Sequence, residues 1–249
     1  MNNSFENQRI LIFGATGGIG AALARQLAAQ GAQLTLVARD EAKLNALASE
    51  LTAAARVCDV TDSLAVETCV DDVLNQFGRI DGAVNCVGSL LLKPVHLTTD
   101  AEWANVLAVN LTSSFHILRA TTNVMMKTGG GSLVLMTSAV AQRGMINHEA
   151  IAAAKAGIVG LARSAAATYA RFNIRVNCVA PGLTRTPMTA ALTRHEASLK
   201  ASTALHPLGR IGEPEEVASA IRWFLDPTQK WVTGQVLAVD GGLSSIQAR

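Results

Sequence analysis

The sequence predicts an α/β protein built on a single doubly wound parallel sheet of about seven strands, with helices on both faces. Short apolar runs alternate with amphipathic stretches along all 249 residues, which is typical of parallel strands joined by right-handed helical crossovers. The runs are apolar throughout, as expected of strands that are covered on both sides. No linker, low-complexity tract or internal repeat interrupts the pattern, so we expect one domain over residues 1–249.

The predicted strands are short, rich in branched side chains and bounded by glycine or polar residues. The first is Arg9–Phe13 (RILIF), which ends at Gly14. The others are Leu34–Val37, Ala55–Cys58, Ala83–Val87, Leu133–Thr137, Arg175–Val179 and Gln235–Val239. Because ligands of such sheets bind beyond the carboxyl ends of the strands, the segments that follow these strands are expected to form the site.

The predicted helices show apolar residues at helical spacing. Gly18–Ala29 follows the first strand and is closed by Gly31. The others are Glu41–Leu51, Ser63–Phe77, Trp103–Met126, His148–Ala170 and Pro214–Leu225. The segment 188–208 lies between a motif and a helix, and we expect it to act as a mobile substrate lid.

Composition and charge exclude several classes of partner. Apolar residues make up 49% of the chain, charged residues 16%, and the net charge is +2. This charge and the absence of a basic run argue against a nucleic-acid or membrane partner. The N-terminus lacks the pattern of a signal peptide, and no apolar run approaches the ~20 residues of a membrane span. The four cysteines are far apart, so we expect reduced thiols in a cytoplasmic protein and no metal site.

The first strand is followed by a glycine-rich turn, GATGGIGAALA. Glycine lets a phosphate approach the backbone, and the start of the next helix offers unpaired N–H groups. An ordinary glycine-rich turn is the alternative, but the strand–turn–helix context favours a Rossmann-type dinucleotide site. The residues expected to contact the cofactor here are Gly14, Thr16, Gly18, Ile19 and Gly20.

The end of the second strand indicates which cofactor is preferred. An acidic residue near this point usually binds a ribose 2′-hydroxyl, whereas an arginine accommodates a 2′-phosphate. Here Ala38 closes the strand, Arg39 follows, and Asp40 is expected to cap the next helix. We therefore predict that NADP(H) is preferred, with NAD(H) possible. The alternative is that Arg39 is a solvated loop charge.

These segments together resemble the short-chain dehydrogenase/reductase family over nearly the whole chain. GATGGIG resembles the family's TGxxxGxG turn, with Phe13 in place of threonine, and NCVG resembles its NNAG segment, with Cys86 in place of the second asparagine. CDVTD, VNLTSSF, MTSAV and PGLTRTPM match further family motifs. The resemblance implies cofactor contacts from Asp59, Val60, Asn85, Gly88, Lys155, Pro181, Gly182 and Thr186.

The family's catalytic tyrosine is missing. The signature Tyr-x-x-x-Lys is expected about 13 residues after the catalytic serine, Ser138, but positions 151 and 155 hold isoleucine and lysine. The resemblance implies that Ser138 binds the substrate oxygen, Lys155 holds the nicotinamide ribose, and Asn110 carries a water to the lysine. Isoleucine has no proton to give, and general acid catalysis is typically worth about 10²–10⁴ in rate.

Several groups are candidates to replace the tyrosine. Tyr169 lies too far along the predicted helix. His148 shares a predicted helix face with Ile151 and Lys155, and imidazole is a common proton donor and acceptor in proteins, so we expect it to line the site and relay a proton. A non-catalytic His148 in the first helical turn is the competing interpretation. Glu149, Lys155 acting through water, and Ser138 are weaker candidates.

The sequence leaves the substrate and the activity open. Arg143, Arg185, Arg194 and His195 could meet an acidic substrate or be solvated surface charges. The favoured function is an oxidoreductase that moves hydride between NADP(H) and a small-molecule carbonyl or alcohol. The alternatives are a non-catalytic NADP(H)-binding regulator and a subunit that supports an active homologue. The resemblance also implies a homodimer or homotetramer, packed through the alanine-rich helices at 103–126 and 148–170.

Overall fold

The computed structural model describes residues 4–247 and contains one sheet of seven parallel strands in the order β3-β2-β1-β4-β5-β6-β7. The predicted fold class is therefore confirmed. The strands are β1 Arg9–Phe13, β2 Gln33–Ala38, β3 Ala54–Val57, β4 Gly82–Asn85, β5 Gly131–Met136, β6 Ile174–Pro181 and β7 Val236–Val239. The direction of winding reverses between β1 and β4, which is where such sheets bind their ligands.

Nine α-helices lie within the described residues. They are α1 Gly18–Ala28, α2 Glu41–Leu51, α3 Ser63–Phe77, α4 Asp100–Leu107, α5 Ser113–Thr128, α6 Glu149–Tyr169, α7 Ala190–Arg194, α8 Glu196–Leu205 and α9 Pro214–Leu225. Helices α1, α2 and α9 bury their apolar faces on one side of the sheet, and α3, α5 and α6 do so on the other. The result is two apolar cores that hold the sheet rigid and fix the positions of the loops at its carboxyl edge.

The long helix predicted over Trp103–Met126 is divided in the structure. Helices α4 and α5 are joined by a π-helical turn, Ala108–Thr112, which contains the fully buried Asn110. A π turn adds one residue to the helical path and often occurs at functional sites. The prediction of one regular helix was wrong, because hydrophobic spacing does not register a single inserted residue.

Helix α6 begins at Glu149, one residue later than predicted, and His148 precedes it in a non-helical conformation. The stretch Glu149–Phe172 is long and apolar enough to span a membrane, with a mean hydropathy of 1.3, contrary to our expectation that no such run exists. In this fold, 44% of the apolar window is buried inside the protein. Its residues Ile158, Ala162 and Ala165 belong to the core beneath the sheet, as expected of a central helix in a packed domain.

Candidate active site

The glycine-rich turn folds tightly between β1 and α1. The N–H groups of Gly14 and Ala15 both donate to the carbonyl oxygen of Val37, at 2.8 and 3.1 Å. Gly14 has φ +77°, and a β-carbon there would lie 2.8 Å from the backbone nitrogen of Val87. A β-carbon at Gly20 would lie 2.2 Å from the Gly14 carbonyl oxygen. Only glycine fits these two positions, so the backbone of the turn stays open to a ligand.

The start of α1 can accept an anion. Gly17 caps the helix without a side-chain hydrogen bond, so the N–H groups of Gly18, Ile19 and Gly20 have no intrahelical partner. Gly18 also faces the loop after β6, since a β-carbon at Gly18 would lie 2.9 Å from Cγ2 of Thr186. Free N–H groups and the positive end of the helix dipole are suited to a phosphate.

A cleft of about 260 Å³ extends from this turn along the carboxyl ends of the strands. Six of the predicted cofactor residues line it: Gly14, Thr16, Arg39, Asp59, Val60 and Gly88. The guanidinium of Arg39 lies 3.7 Å from the carboxylate of Asp59, and 73% of the Arg39 side chain is exposed. Thr61 donates its N–H and hydroxyl to Asp59, and these bonds lower the pKa of that carboxyl.

Asp40 caps the N-terminus of α2, the helix that follows β2. Its carboxylate accepts the N–H of Lys43 at 3.1 Å and forms an ion pair with the Lys43 ammonium, which confirms the predicted cap. Arg39, which is mostly exposed beside Asp59, is therefore the side chain at the end of β2 that could meet a ligand in the cleft. The residues present fit a dinucleotide with a 2′-phosphate, because the glycine cradle would hold the pyrophosphate and the guanidinium would meet the added charge.

Other predicted cofactor residues hold the loops instead of lining the cleft. Asn85 is buried. Its side-chain Nδ2 donates to Ser114 Oγ at 3.0 Å, and its side-chain Oδ1 accepts the N–H of Val87 at 3.0 Å. Pro181 and Gly182 line a second cavity, described below. A β-carbon at Gly182 would lie 2.8 Å from Nε2 of His206, so this position requires glycine for packing.

Asn110, Lys155 and Gly88 converge beside the cleft. A β-carbon on Gly88 would lie 3.1 Å from Asn110 Oδ1 and 3.6 Å from Lys155 Nζ. The Asn110 amide donates to Ser89 Oγ and to the Val106 carbonyl, at 3.0 and 2.9 Å. Lys155 donates to the Met136 carbonyl at 2.9 Å, and burial lowers its pKa to about 8. The structure thus brings the lysine and the asparagine together beside Gly88, and their roles stay predictions.

A second cavity, of about 230 Å³, contains the expected reaction centre. Ser138, His148 and Ile151 all line it, so the structure brings together the serine, the histidine and the position of the missing tyrosine. Ile151 is only 3% exposed and packs with Val106 and other apolar residues. Ser138 Oγ accepts a weak hydrogen bond from Val140 N–H at 3.4 Å and keeps its own proton for a ligand.

His148 lies in the turn before α6, where Nδ1 is 2.7 Å from the carbonyl oxygen of Ile146. A carbonyl oxygen only accepts hydrogen bonds, so Nδ1 carries the proton. The predicted reason for its placement, a shared helix face with Ile151, was wrong because His148 is outside the helix. His148 and Ile151 line the same cavity, and a part for His148 in the site stays a prediction.

The segment 188–208 forms two short helices, α7 and α8, over this cavity, and Thr189, Leu192, Ser202, Leu205 and His206 line it. Sequence analysis did not single out His206. It is 4% exposed; Nδ1 lies 2.7 Å from the Ser202 carbonyl oxygen, and Nε2 accepts the Leu183 N–H at 3.3 Å. This pattern defines a neutral imidazole that joins α8 to the loop after β6.

Comparison with known proteins identifies the family. Residues 14–244 match a family model described as Enoyl-(Acyl carrier protein) reductase. A short-chain type dehydrogenase/reductase from Mycobacterium ulcerans has a similar structure, with a TM-score of 0.92, 30% identity, and coverage of 98% of this chain and 92% of that one. The protein belongs to the short-chain dehydrogenase/reductase family. The predicted resemblance is therefore confirmed.

Named relatives of this short-chain dehydrogenase/reductase are oxidoreductases. The 3-oxoacyl-[acyl-carrier-protein] reductase of Escherichia coli is 34% identical over 96% of this chain and 98% of its own. The cis-4-hydroxycyclohexanecarboxylate dehydrogenase of Sinomonas cyclohexanicum is 36% identical over 99% and 100%. An actinorhodin polyketide ketoreductase variant crystallised with NADPH is 31% identical over 99% and 100%, with a TM-score of 0.92. The expectation of an oxidoreductase that acts on a CH–OH or C=O group is confirmed.

No cluster of three or more histidine, cysteine, aspartate or glutamate side chains suited to a metal occurs within residues 4–247. Cys58, Cys69, Cys86 and Cys178 all lie in this part of the chain and form no disulfide there. Burial raises the pKa of the Cys86 thiol to about 12, so this cysteine beside the cleft is protonated at neutral pH.

Proposed function

We propose that this protein is an NADP(H)-dependent oxidoreductase that transfers hydride between nicotinamide and a carbonyl or alcohol, with a proton path that does not use tyrosine. The observation that carries the proposal is the convergence of Asn110 and Lys155 beside Gly88, which lines the same cleft as the glycine-rich turn. A protein without catalytic activity would gain nothing from a buried lysine at this position, because burying a cation costs free energy.

The cofactor would be held by the glycine turn and the free N–H groups of α1, with Arg39 at the 2′-phosphate and Lys155 at the nicotinamide ribose. When bound, it supplies or accepts the hydride. NADP(H) preference is supported by Arg39 and by the use of Asp40 as a helix cap. Equilibrium binding tests it: Arg39→Ala should weaken NADPH binding about ten-fold or more and leave NADH binding nearly unchanged. Tighter binding of NADH by the wild type would contradict the preference.

The proton path is proposed to run through His148. Ser138 would donate its hydroxyl hydrogen to the substrate oxygen and fix the carbonyl in the cavity. In reduction, a protonated His148 would give a proton to the substrate oxygen as hydride reaches the carbon. In oxidation, neutral His148 would take the hydroxyl proton through Nε2, because Nδ1–H is occupied by Ile146.

The activity is tested by NADPH oxidation against a panel of small ketones, together with NADP⁺ reduction by the matching alcohols. Turnover by the wild type that falls about 10²-fold or more in His148→Ala supports both the reaction and the proton path. Turnover that is unchanged in His148→Ala supports the reaction and removes His148 from it. A wild type that binds NADPH but turns over no member of the panel contradicts the proposal for these substrates.

Residues 188–208 are proposed to act as the substrate lid, because α7 and α8 cover the cavity and are joined to the loop after β6 by His206. A homodimer or homotetramer is proposed from the family resemblance, with α4, α5 and α6 as the packing helices. Sedimentation velocity of the purified protein tests the assembly, and a monomer at micromolar concentration would contradict it.

A further inference from the structure

The cavity beside Ser138 has no fixed charge on its walls. Within residues 4–247, its lining contains no lysine, arginine, aspartate or glutamate. The apolar part of the wall comes from five separate segments of the chain. Its apolar residues are Leu90, Leu92, Ala139, Val140, Met145, Ile151, Pro181, Leu183, Leu192, Leu205 and Leu243.

The two titratable side chains in the lining are histidines, and neither is free to pair with a charged group remote from the reacting oxygen. Both nitrogens of His206 are engaged, one as donor to Ser202 and one as acceptor from Leu183, which requires the neutral ring. His148 uses Nδ1–H on the Ile146 carbonyl, and the proposed reaction places its Nε2 on the reacting oxygen. Neither ring is therefore left to pair with a carboxylate elsewhere on the substrate.

The four basic residues that the sequence suggested as contacts for an acidic substrate either bind other groups or do not line the cavity. The Arg143 guanidinium donates to the Leu243 carbonyl oxygen, which braces the C-terminal segment that forms one wall. Arg185 lies 3.3 Å from the carboxylate of Glu213 in an ion pair. Arg194 and His195 do not line the cavity. The sequence hypothesis that these four residues meet an acidic substrate therefore has no support in this arrangement.

The size of the cavity is also restrictive. Its volume of about 230 Å³ is below the usual range of about 300–1,000 Å³ for drug-sized ligands. Ile151 extends the apolar surface to the position where the family resemblance places a hydroxyl. A charged group in such a space would lose its hydration without gaining a partner, whereas an apolar ring would be stabilised by burial.

We propose, on the basis of the proposed reaction, that the substrate is a small, uncharged, largely apolar ketone or secondary alcohol of about the size of a substituted six-membered ring. Ser138 and His148 bind the single oxygen that reacts. The lid residues Leu192 and Leu205 cover the apolar body. Anionic substrates are disfavoured because the lining has no lysine or arginine to pair with a charged group elsewhere on the substrate.

A matched pair of ketones tests this inference: 4-oxocyclohexanecarboxylate and its methyl ester, which differ in charge while sharing the ring and the reacting carbonyl. The kcat/KM of the ester with NADPH should exceed that of the carboxylate by at least about ten-fold. Binding of each ketone to the NADP⁺-loaded protein, measured by calorimetry, should show the same order, and no hydride transfer is possible in that mixture.

The two readouts separate the substrate class from the reaction. Ester binding without turnover would keep the substrate class and contradict the proposed reaction. Turnover that favours the carboxylate, or equal binding of both ketones, would overturn the substrate class and keep the reaction. Binding of neither the ester nor cyclohexanone would also overturn the substrate class.

A charge introduced into the wall gives a second test. Leu205 lies in α8 and is 40% exposed, so it can be replaced by a long side chain with little strain. Leu205→Arg should raise the carboxylate-to-ester ratio of kcat/KM by about ten-fold relative to Leu205→Gln, which matches the length without the charge. An equal ratio in the two variants would show that the missing cation does not set the preference.

Discussion

The ammonium group of Lys155 donates to the carbonyl oxygen of Met136 at 2.9 Å, and the lysine side chain is almost completely buried. No carboxylate forms an ion pair with it among residues 4–247. Burial lowers its pKa from 10.5 to about 8. The folded protein without cofactor therefore carries a destabilising buried charge at neutral pH.

This charge gives a stability prediction for Lys155→Met. Below pH 8 the lysine is protonated in both states, and the folded state bears the cost of burying the charge. Between about pH 8 and 10.5 the folded state loses the proton first, so the unfolded state binds more protons and stability rises with pH. The full difference is about 3 kcal/mol. Without cofactor, Lys155→Met should thus unfold at higher urea concentration than the wild type at pH 7, with the gap closing by pH 10. A less stable variant at pH 7 would contradict the shifted pKa.

Restoring the missing hydroxyl is the second prediction. Ile151 lines the cavity with Ser138, and Lys155 lies one helical turn further along α6. Ile151→Tyr should raise the rate of ketone reduction by NADPH, with an upper range of about 10²–10⁴ for a correctly placed acid. Ile151→Phe is the control, because it adds the ring without the hydroxyl. Equal rates in the two variants would mean that the added volume, and not a proton donor, is responsible.

Opposite pH profiles for the two directions are the third prediction. A neutral His148 is a base and its imidazolium is an acid, so alcohol oxidation should rise with pH while ketone reduction falls. In His148→Gln, both dependences should flatten, because glutamine can bond Ile146 without titrating. Steady-state rates of both reactions across pH 5–9 provide the measurement. A pH dependence that survives unchanged in the variant would point to another group.

His206 is expected to affect substrate binding through the lid. His206→Phe leaves the Leu183 N–H and the Ser202 carbonyl without their partner, at about 1–3 kcal/mol for each buried group. We expect a higher KM, a smaller change in kcat, and faster proteolysis within 190–205. Ser202→Ala is the control, because His206 bonds only the backbone of that residue. A variant with reduced kcat and an unchanged KM would place His206 in the chemistry.

The fold was predictable because the positions of the strands depend on local features of the sequence, namely short apolar runs followed by glycine. Runs such as RILIF are short, apolar and followed by glycine, and the structure forms β1 at Arg9–Phe13 as predicted. The helices α2, α3 and α9 also begin and end where capping residues and hydrophobic spacing placed them. These signals act over a few residues, so tertiary contacts do not override them.

The parts that were missed depend on distant partners. Helices α7 and α8, which the sequence analysis treated only as a lid segment, contain no buried residue. His206 accepts a hydrogen bond from the N–H of Leu183, which is 23 positions away in the chain. No local sequence pattern predicts such a pair. The pairing of Ser138 with Ile151 followed from family spacing, whereas His148 was added because of its helical spacing to Ile151. The true conformation of His148 depends on the turn at Asn147, whose φ is +64°.

Because of the π turn between α4 and α5, this part of the chain does not tolerate an insertion or a deletion. Asn110 within the turn reaches Ser89, while Ser114, just beyond it, receives the amide of Asn85. Deleting one residue from 108–112 would restore a regular helix and rotate everything after it by about 100°. One of these two contacts would then be lost, together with the support for Gly88 or for β4. Substitutions can vary the chemistry of this helix, but a change in its length would disturb Gly88, which lines the cleft and lies close to Lys155.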